Sequence, residues 1–132
     1  MRIQVKDFMS APVTTALAEN SVVEIRALMK EKRIHAMPVV SVSTSSDGET
    51  TIKGIITATD LGEKVPENAT VKDVMTSSSV HVVHVDATAQ AAAKMMIRHK
   101  VHHTVVMDEG KIVGMISSMD FVNLVAEHAL GE

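Results

Sequence analysis

Two stretches of this chain set a hydroxyl three positions before a carboxylate: Thr57 and Asp60 in Gly54-Ile55-Ile56-Thr57-Ala58-Thr59-Asp60, Ser117 and Asp120 in Gly114-Met115-Ile116-Ser117-Ser118-Met119-Asp120. Each stretch follows an apolar run and precedes a helical pattern, so each marks a place where a strand turns into a helix. A hydroxyl and free backbone N–H groups at the positive end of a helix can hold a phosphate or carboxylate, and the two acceptor oxygens of Asp suit paired sugar hydroxyls. The plainer role of each Asp is an N-cap on the following helix, which would explain a single copy.

Other chemistries find little support. Seven histidines and no cysteine raise the question of a metal. His81 and His84 are three positions apart with Asp86 close by, while His99, His102 and His103 form a second group. No His-Glu-x-x-His or comparable arrangement appears, and exposed or hydrogen-bonding histidines are the expectation. The missing cysteines remove disulfides, iron–sulfur clusters, thiolate zinc and thiol nucleophiles together. No serine nucleophile elbow, Walker loop or GxGxxG occurs, so neither an enzyme, a required cofactor nor a metal is expected. A formal net charge of −3 argues against nucleic acid as a partner. No run of signal-peptide or membrane-spanning length is present, and the expectation is a cytoplasmic protein without a membrane partner.

The elements that must position Thr57 and Asp60 occur twice. Val5-Lys6-Asp7-Phe8-Met9 is echoed by Val71-Lys72-Asp73-Val74-Met75, and Arg33 to Val40 falls opposite Lys100 to Met107. A duplication of about sixty residues organises the chain, with repeat one assigned to 1–66 and repeat two to 67–132. Halves of this size bury too little alone, so they are expected to fold together. Only Phe8 and Phe121 are aromatic, and a core of Val, Ile, Leu, Ala and ten Met is adaptable.

In repeat one, Ser21 and Glu24 form a capping box for a helix that ends near Arg33, with Val22, Ile25, Leu28 and Met29 at helical spacing. Met37 to Val42 reads as a strand, Asp47-Gly48 as a turn and Thr51 to Thr57 as a second strand. The tract from Ser41 to Lys53 is an enlarged hairpin with a surface loop. In repeat two, Thr88 caps a helix from Ala89 to His99, Thr104 to Met107 and Lys111 to Ser117 are strands, and Asp108-Glu109-Gly110 is the turn. A helix is expected to begin at Asp60 and at Asp120, the first cut short by Gly62 and Pro66, the second offering Phe121, Val122, Leu124, Val125 and Leu130 for packing.

A β-α-β-β-α unit opening with Val-Lys-Asp-Phe-Met and closing with Gly-Ile-Ile-Thr-Ala-Thr-Asp resembles the cystathionine-β-synthase (CBS) domain, and two in tandem, from Val5 to about Glu127, resemble a Bateman module. The resemblance implies an α+β fold (α/β-type CBS repeats): two three-stranded sheets with helices, packed on one another about a pseudo-two-fold axis with two clefts between the repeats. It implies a regulatory sensor of adenosine-containing ligands, AMP, ADP, ATP, S-adenosylmethionine or methylthioadenosine, without catalysis. Thr57 and Asp60 match the ligand motif of one cleft, Ser117 and Asp120 that of the other, and their recurrence in both repeats favours ligand contact over capping alone. The adenine wall then falls on His35, Ala36 and Met37 with Met115 and Pro12 in one cleft, and on His102, His103 and Thr104 with Ile55 and Ser78 in the other. Taken singly, Met37, Met115 and Ile55 read equally as core. Some relatives carry His-Arg where this chain has His102-His103, and His35-Ala36 is poorer still, which implies unequal sites and a first cleft without a triphosphate. The resemblance further implies a homodimer through the helices, with Phe121, Val125 and Leu130 at the interface, and an effector protein not identified by the sequence. The competing expectation is a homodimeric interaction scaffold with vestigial clefts.

Overall fold

The computed structural model describes residues 2–41, 51–62, 64–77 and 80–128. They form two compact units, one of residues 14–80 and one of residues 1–13 with 81–132. The turn expected at Asp47-Gly48, Ser78 and Leu130 lie outside the described residues.

Residues 14–80 hold a three-stranded sheet in the order β1 (Ala16–Leu17), β2 (Ala36–Ser41), β3 (Thr51–Thr57). β1 runs parallel to β2, and β3 antiparallel to it with Ala36 opposite Thr57 and Met37 opposite Ile56. Helix α1 (Val22–Lys32) covers the sheet by burying Val22, Ile25 and Met29 against Met37, Val39 and Ile56. Ser21 starts it, Oγ accepting from the N–H of Glu24 at 3.1 Å. Arg33 ends it in the left-handed region (φ 56°), closing the last turn with its N–H on the carbonyl of Lys30.

The other unit repeats the plan: β4 (Val82–His84), α3 (Ala89–His99), β5 (His103–Asp108) and β6 (Lys111–Ser117), in the sheet order β4-β5-β6. Thr88 Oγ1 caps α3 by accepting from Ala91 N–H at 3.1 Å, and Lys100 ends it at φ 55°. The core is Val5, Ala92, Met96, Val106 and Ile116, flanked by an edge-to-face contact between Phe8 and Phe121 with centroids 5.1 Å apart. The expected turn is present, with positive φ at Glu109 and Gly110.

The opening pentapeptides are exchanged relative to the sequence repeats. Val5-Lys6-Asp7 forms a 3-10 turn whose N–H groups at Val5 and Lys6 donate to the carbonyls of Ala87 and Val85. Val71 begins α2 (Val71–Val74) and donates to Asn20, and Lys72 to Ala18. Both valines are fully buried, so each pentapeptide anchors on the sheet of the other repeat's sequence. The glycines explain how closely they lie. Ser10 pairs with Met115 next to Gly114, and Thr76 with Ile55 next to Gly54. A Cβ on Gly54 would stand 2.6 Å from the Thr76 carbonyl oxygen, and one on Gly114 would stand 2.5 Å from Met9 Sδ. At Gly54, where the neighbour is backbone, only glycine leaves room for the second segment.

The helices expected at Asp60 and Asp120 differ from expectation in two ways. Helix α4 (Ser118–Glu127) is capped by Ser117, with Asp120 as its third residue, so the carboxylate completes a cap instead of being one. After Thr57 the chain makes only a turn, Leu61 N–H donating to Ala58 and Gly62 N–H to Thr59, as the early Gly62 and Pro66 dictate.

Candidate functional site

The hydroxyl-x-x-Asp pair has one geometry in both units. Thr57 N–H donates to Asp60 Oδ2 at 2.9 Å, and Asp60 N–H donates to Thr57 Oγ1 at 3.2 Å. Ser117 N–H donates to Asp120 Oδ2 at 2.8 Å, and Asp120 N–H to Ser117 Oγ at 3.3 Å. These are reciprocal capping boxes, which satisfy two backbone donors that the helix or turn start would otherwise leave open. Both Asp residues are half-buried. One carboxylate oxygen of each is thus committed locally, while a carboxylate can accept about four hydrogen bonds.

The segment before each middle strand is tied to the same place. Ala58 N–H donates to the His35 carbonyl at 2.8 Å, and Ser118 N–H to the His102 carbonyl at 2.9 Å. Ala36 lies opposite Thr57, and His103 opposite Ser117. Within residues 14–80 the fold therefore gathers His35, Ala36, Thr57 and Asp60 at one sheet end. In the other unit it gathers His102, His103, Ser117 and Asp120. His102 Nδ1 is 3.1 Å from Ser118 Oγ, fixing the ring beside the start of α4.

The remaining expected wall residues divide by burial. Met37 is fully buried in the helix-facing core and Thr104, its counterpart, is equally buried, so neither side chain is exposed. Thr104 Oγ1 has no hydrogen-bond partner, an unmet demand that Met37 avoids. Ile55 and Met115 retain 7% and 9% exposure. Ile55 pairs with Thr76, and Met115 with Ser10. Pro12 is exposed.

Three other histidines have partners of their own. His81 and His99 stack with centroids 4.0 Å apart. His84 Nδ1 accepts from the N–H of Asp86 at 3.1 Å, and its Nε2 lies 3.7 Å from Asp108 Oδ1. Among the described residues no three His, Asp or Glu side chains converge on a metal position. No helix among them is long and apolar enough to cross a membrane.

Sequence reasoning missed the capping role of Thr57 and Ser117 and the exchange of the pentapeptides. The first was signalled by the Ser/Thr-x-x-Asp spacing itself; the second had no signal within either repeat, because it is a relation between them.

A family model described as the CBS domain matches residues 5–67 and 71–127. The inosine-5'-monophosphate dehydrogenase of Korarchaeum cryptofilum is 31% identical over 116 residues, which are 87% of this chain and 23% of that enzyme. That of Mycobacterium bovis is 30% identical over 109 residues, 82% of this chain and 20% of the enzyme. The chain thus spans about a fifth of the length of these relatives. The CBS domain pair of protein MJ0100, solved in complex with 5'-methylthioadenosine and S-adenosyl-L-methionine, superimposes with a TM-score of 0.80 at 26% identity, covering 96% of this chain and 98% of that one. The CBS domain of a bacterial CNNM/CorC family Mg2+ transporter gives a TM-score of 0.77 at 23% identity, covering 96% and 89%.

Proposed function

From the premise that this chain belongs to the CBS domain family, we propose that it is a regulatory module, without catalysis of its own, that binds an adenosine-type ligand at two sites centred on Thr57/Asp60 and Ser117/Asp120. The observation that carries this is the duplicated capping box, which holds a half-buried carboxylate at the same point of both units. In each, Oδ2 accepts the backbone N–H, leaving Oδ1 to accept from a ribose hydroxyl. The main chain of His35 to Met37 would meet the base in one site and that of His102 to Thr104 in the other. That the MJ0100 pair was solved with methylthioadenosine and S-adenosylmethionine supports an adenosyl ligand here. His102 and His103 make the second site the better one for an anionic tail, since His35 is followed by Ala36. The ligand regulates only by binding one conformation better than another, which an effector protein then reads.

The test is thermal unfolding against AMP, ADP, ATP, S-adenosylmethionine, methylthioadenosine, GMP and GTP. A ligand at a hundred times its dissociation constant adds about 2.7 kcal/mol. The gain should vanish in the double variant D60N/D120N, whose own unfolding without ligand is measured alongside. A flat panel with the wild-type protein would overturn the reading.

A second reading, a homodimeric scaffold, is favoured by α4. Its ten residues include none that is buried, and Met119, Val122 and Val125 are 62, 57 and 58% exposed. An apolar ridge of this kind suits an interface. Substituting V122D should then give a smaller species in sedimentation while leaving any nucleotide response intact.

A further inference from the structure

The two repeats differ in a groove that shares His102, but none of its apolar wall, with the proposed adenosyl site. Between α3 and α4 lies a groove of about 410 Å³, walled by Ala93, Met96, Ile97, Val101 and Phe121. Lys100, His102 and Ser118 supply its polar groups. The equivalent groove in residues 14–80 measures about 200 Å³. There Arg26 stands where the second repeat has Ala93, and Lys30 where it has Ile97. Arg26 donates from Nε and Nη2 to the Leu61 carbonyl at 3.2 and 3.0 Å. Its hydrocarbon stem and polar head are held in place in that groove. The second repeat has lost this plug and has gained apolar wall.

We propose that the α3–α4 groove is a binding site for an amphipathic organic anion, an apolar chain ending in a carboxylate. The volume is in the range of small-molecule sites, which are mostly apolar with a few polar groups that orient the ligand. Here the polar groups gather at one end: Lys100 caps α3, and His102 is bonded to Ser118 at the start of α4. Lys100 makes no ion pair among the described residues, and it offers a cation to the carboxylate. The nearest acid along α4, Asp120, is turned back onto the Ser117 N–H. Ile97, 76% exposed, forms the open lip over which the chain would lie. Met119, Val122 and Val125 do not line the groove, whereas Phe121, which the resemblance also assigns to a dimer interface, does.

The probe is decanoate, titrated into the full chain and followed by amide chemical shifts, with 1-decanol as the uncharged counterpart. Saturable one-site shifts are expected at Ala93, Ile97, Val101 and Phe121. A93R, which restores the plug of the first repeat at a half-exposed helix position, should weaken decanoate at least tenfold; I97K supplies the same test should A93R fail to fold. K100Q should weaken decanoate severalfold and leave 1-decanol unchanged. Equal binding by A93R and I97K, shifts that never saturate, or a K100Q effect equal on acid and alcohol would overturn the proposal. So would a concentration-dependent dimer that A93R dissociates and that takes up no decanoate, since the groove's occupant would then be a second copy.

Discussion

Replacing Gly54 by alanine should destabilise residues 14–80 far more than replacing Gly114 destabilises the other unit, although the two glycines are sequence equivalents. At Gly54 the added Cβ would meet the Thr76 carbonyl oxygen at 2.6 Å and Met75 Sδ at 3.0 Å. That oxygen cannot swing away, because it accepts from Ile55 N–H at 2.9 Å while Thr76 N–H donates back to Ile55 at 3.0 Å. Relieving the overlap means parting the two segments and stretching both bonds, each worth about 1 kcal/mol. Residual overpacking adds about 1–3 kcal/mol, and the lower unfolded-state entropy of alanine returns about 0.4–1 kcal/mol. The net loss is about 2–5 kcal/mol. At Gly114 the closest atoms are Met9 Sδ at 2.5 Å and Cγ at 3.0 Å, the end of a flexible side chain, with the Ser10 oxygen at 3.1 Å. Met9 can take another rotamer, so G114A should cost only about 1 kcal/mol. Urea unfolding gives the two free energies, and amide exchange at Ile55 and Met115 locates the loss. Equal costs, or a G54A protein whose Ile55 and Thr76 amides exchange as slowly as before, would refute the close-approach account of these glycines.

Other expectations rest on single contacts. T104V removes a buried hydroxyl that has no partner while keeping its shape, and should raise stability by about 1 kcal/mol in the same urea experiment. S21A deletes the acceptor for Glu24 N–H and should cost about 1 kcal/mol. Asp73 is held below the ordinary carboxylate range, first by the Thr70 N–H at 2.9 Å, then by Thr70 Oγ1 at 3.1 Å. A depressed folded-state pKa means its contribution is complete above the unfolded value of about 3.9 and is lost as pH falls through the folded one; D73N should therefore show a shallower loss of stability on acidification below about pH 4. Because Val71 and Thr76 complete the sheet of residues 14–80, a fragment spanning 14–80 should keep more sheet signal in circular dichroism than one spanning 1–67, which lacks both.

Helices α1 and α3 were legible nearly to the residue, because Ser21 and Thr88 mark their starts and the apolar spacing runs unbroken to Arg33 and Lys100. Strand β3 was legible because its apolar run is bounded on both sides, and β6 for the same reason. Short helical pieces were not. Val5–Asp7 and Val71–Val74 are too brief for periodicity to reveal, and the turn after Thr57 looked like the start of a helix because its first residues match those of α4.

The sequence by itself determined the duplication, the CBS resemblance and the pairing of Thr57 with Asp60 and Ser117 with Asp120, since all of these are local patterns of residue type and spacing. Only the tertiary structure decided that Val5 anchors beside Val85 and Ala87 while Val71 anchors beside Ala18 and Asn20, that Gly54 faces a carbonyl where Gly114 faces a methionine, and that Arg26 fills a groove which Ala93 leaves open. Each depends on which distant atoms come within a few ångströms. Two nearly identical local sequences carry no record of that, because their differences lie in the neighbours that packing brings to them.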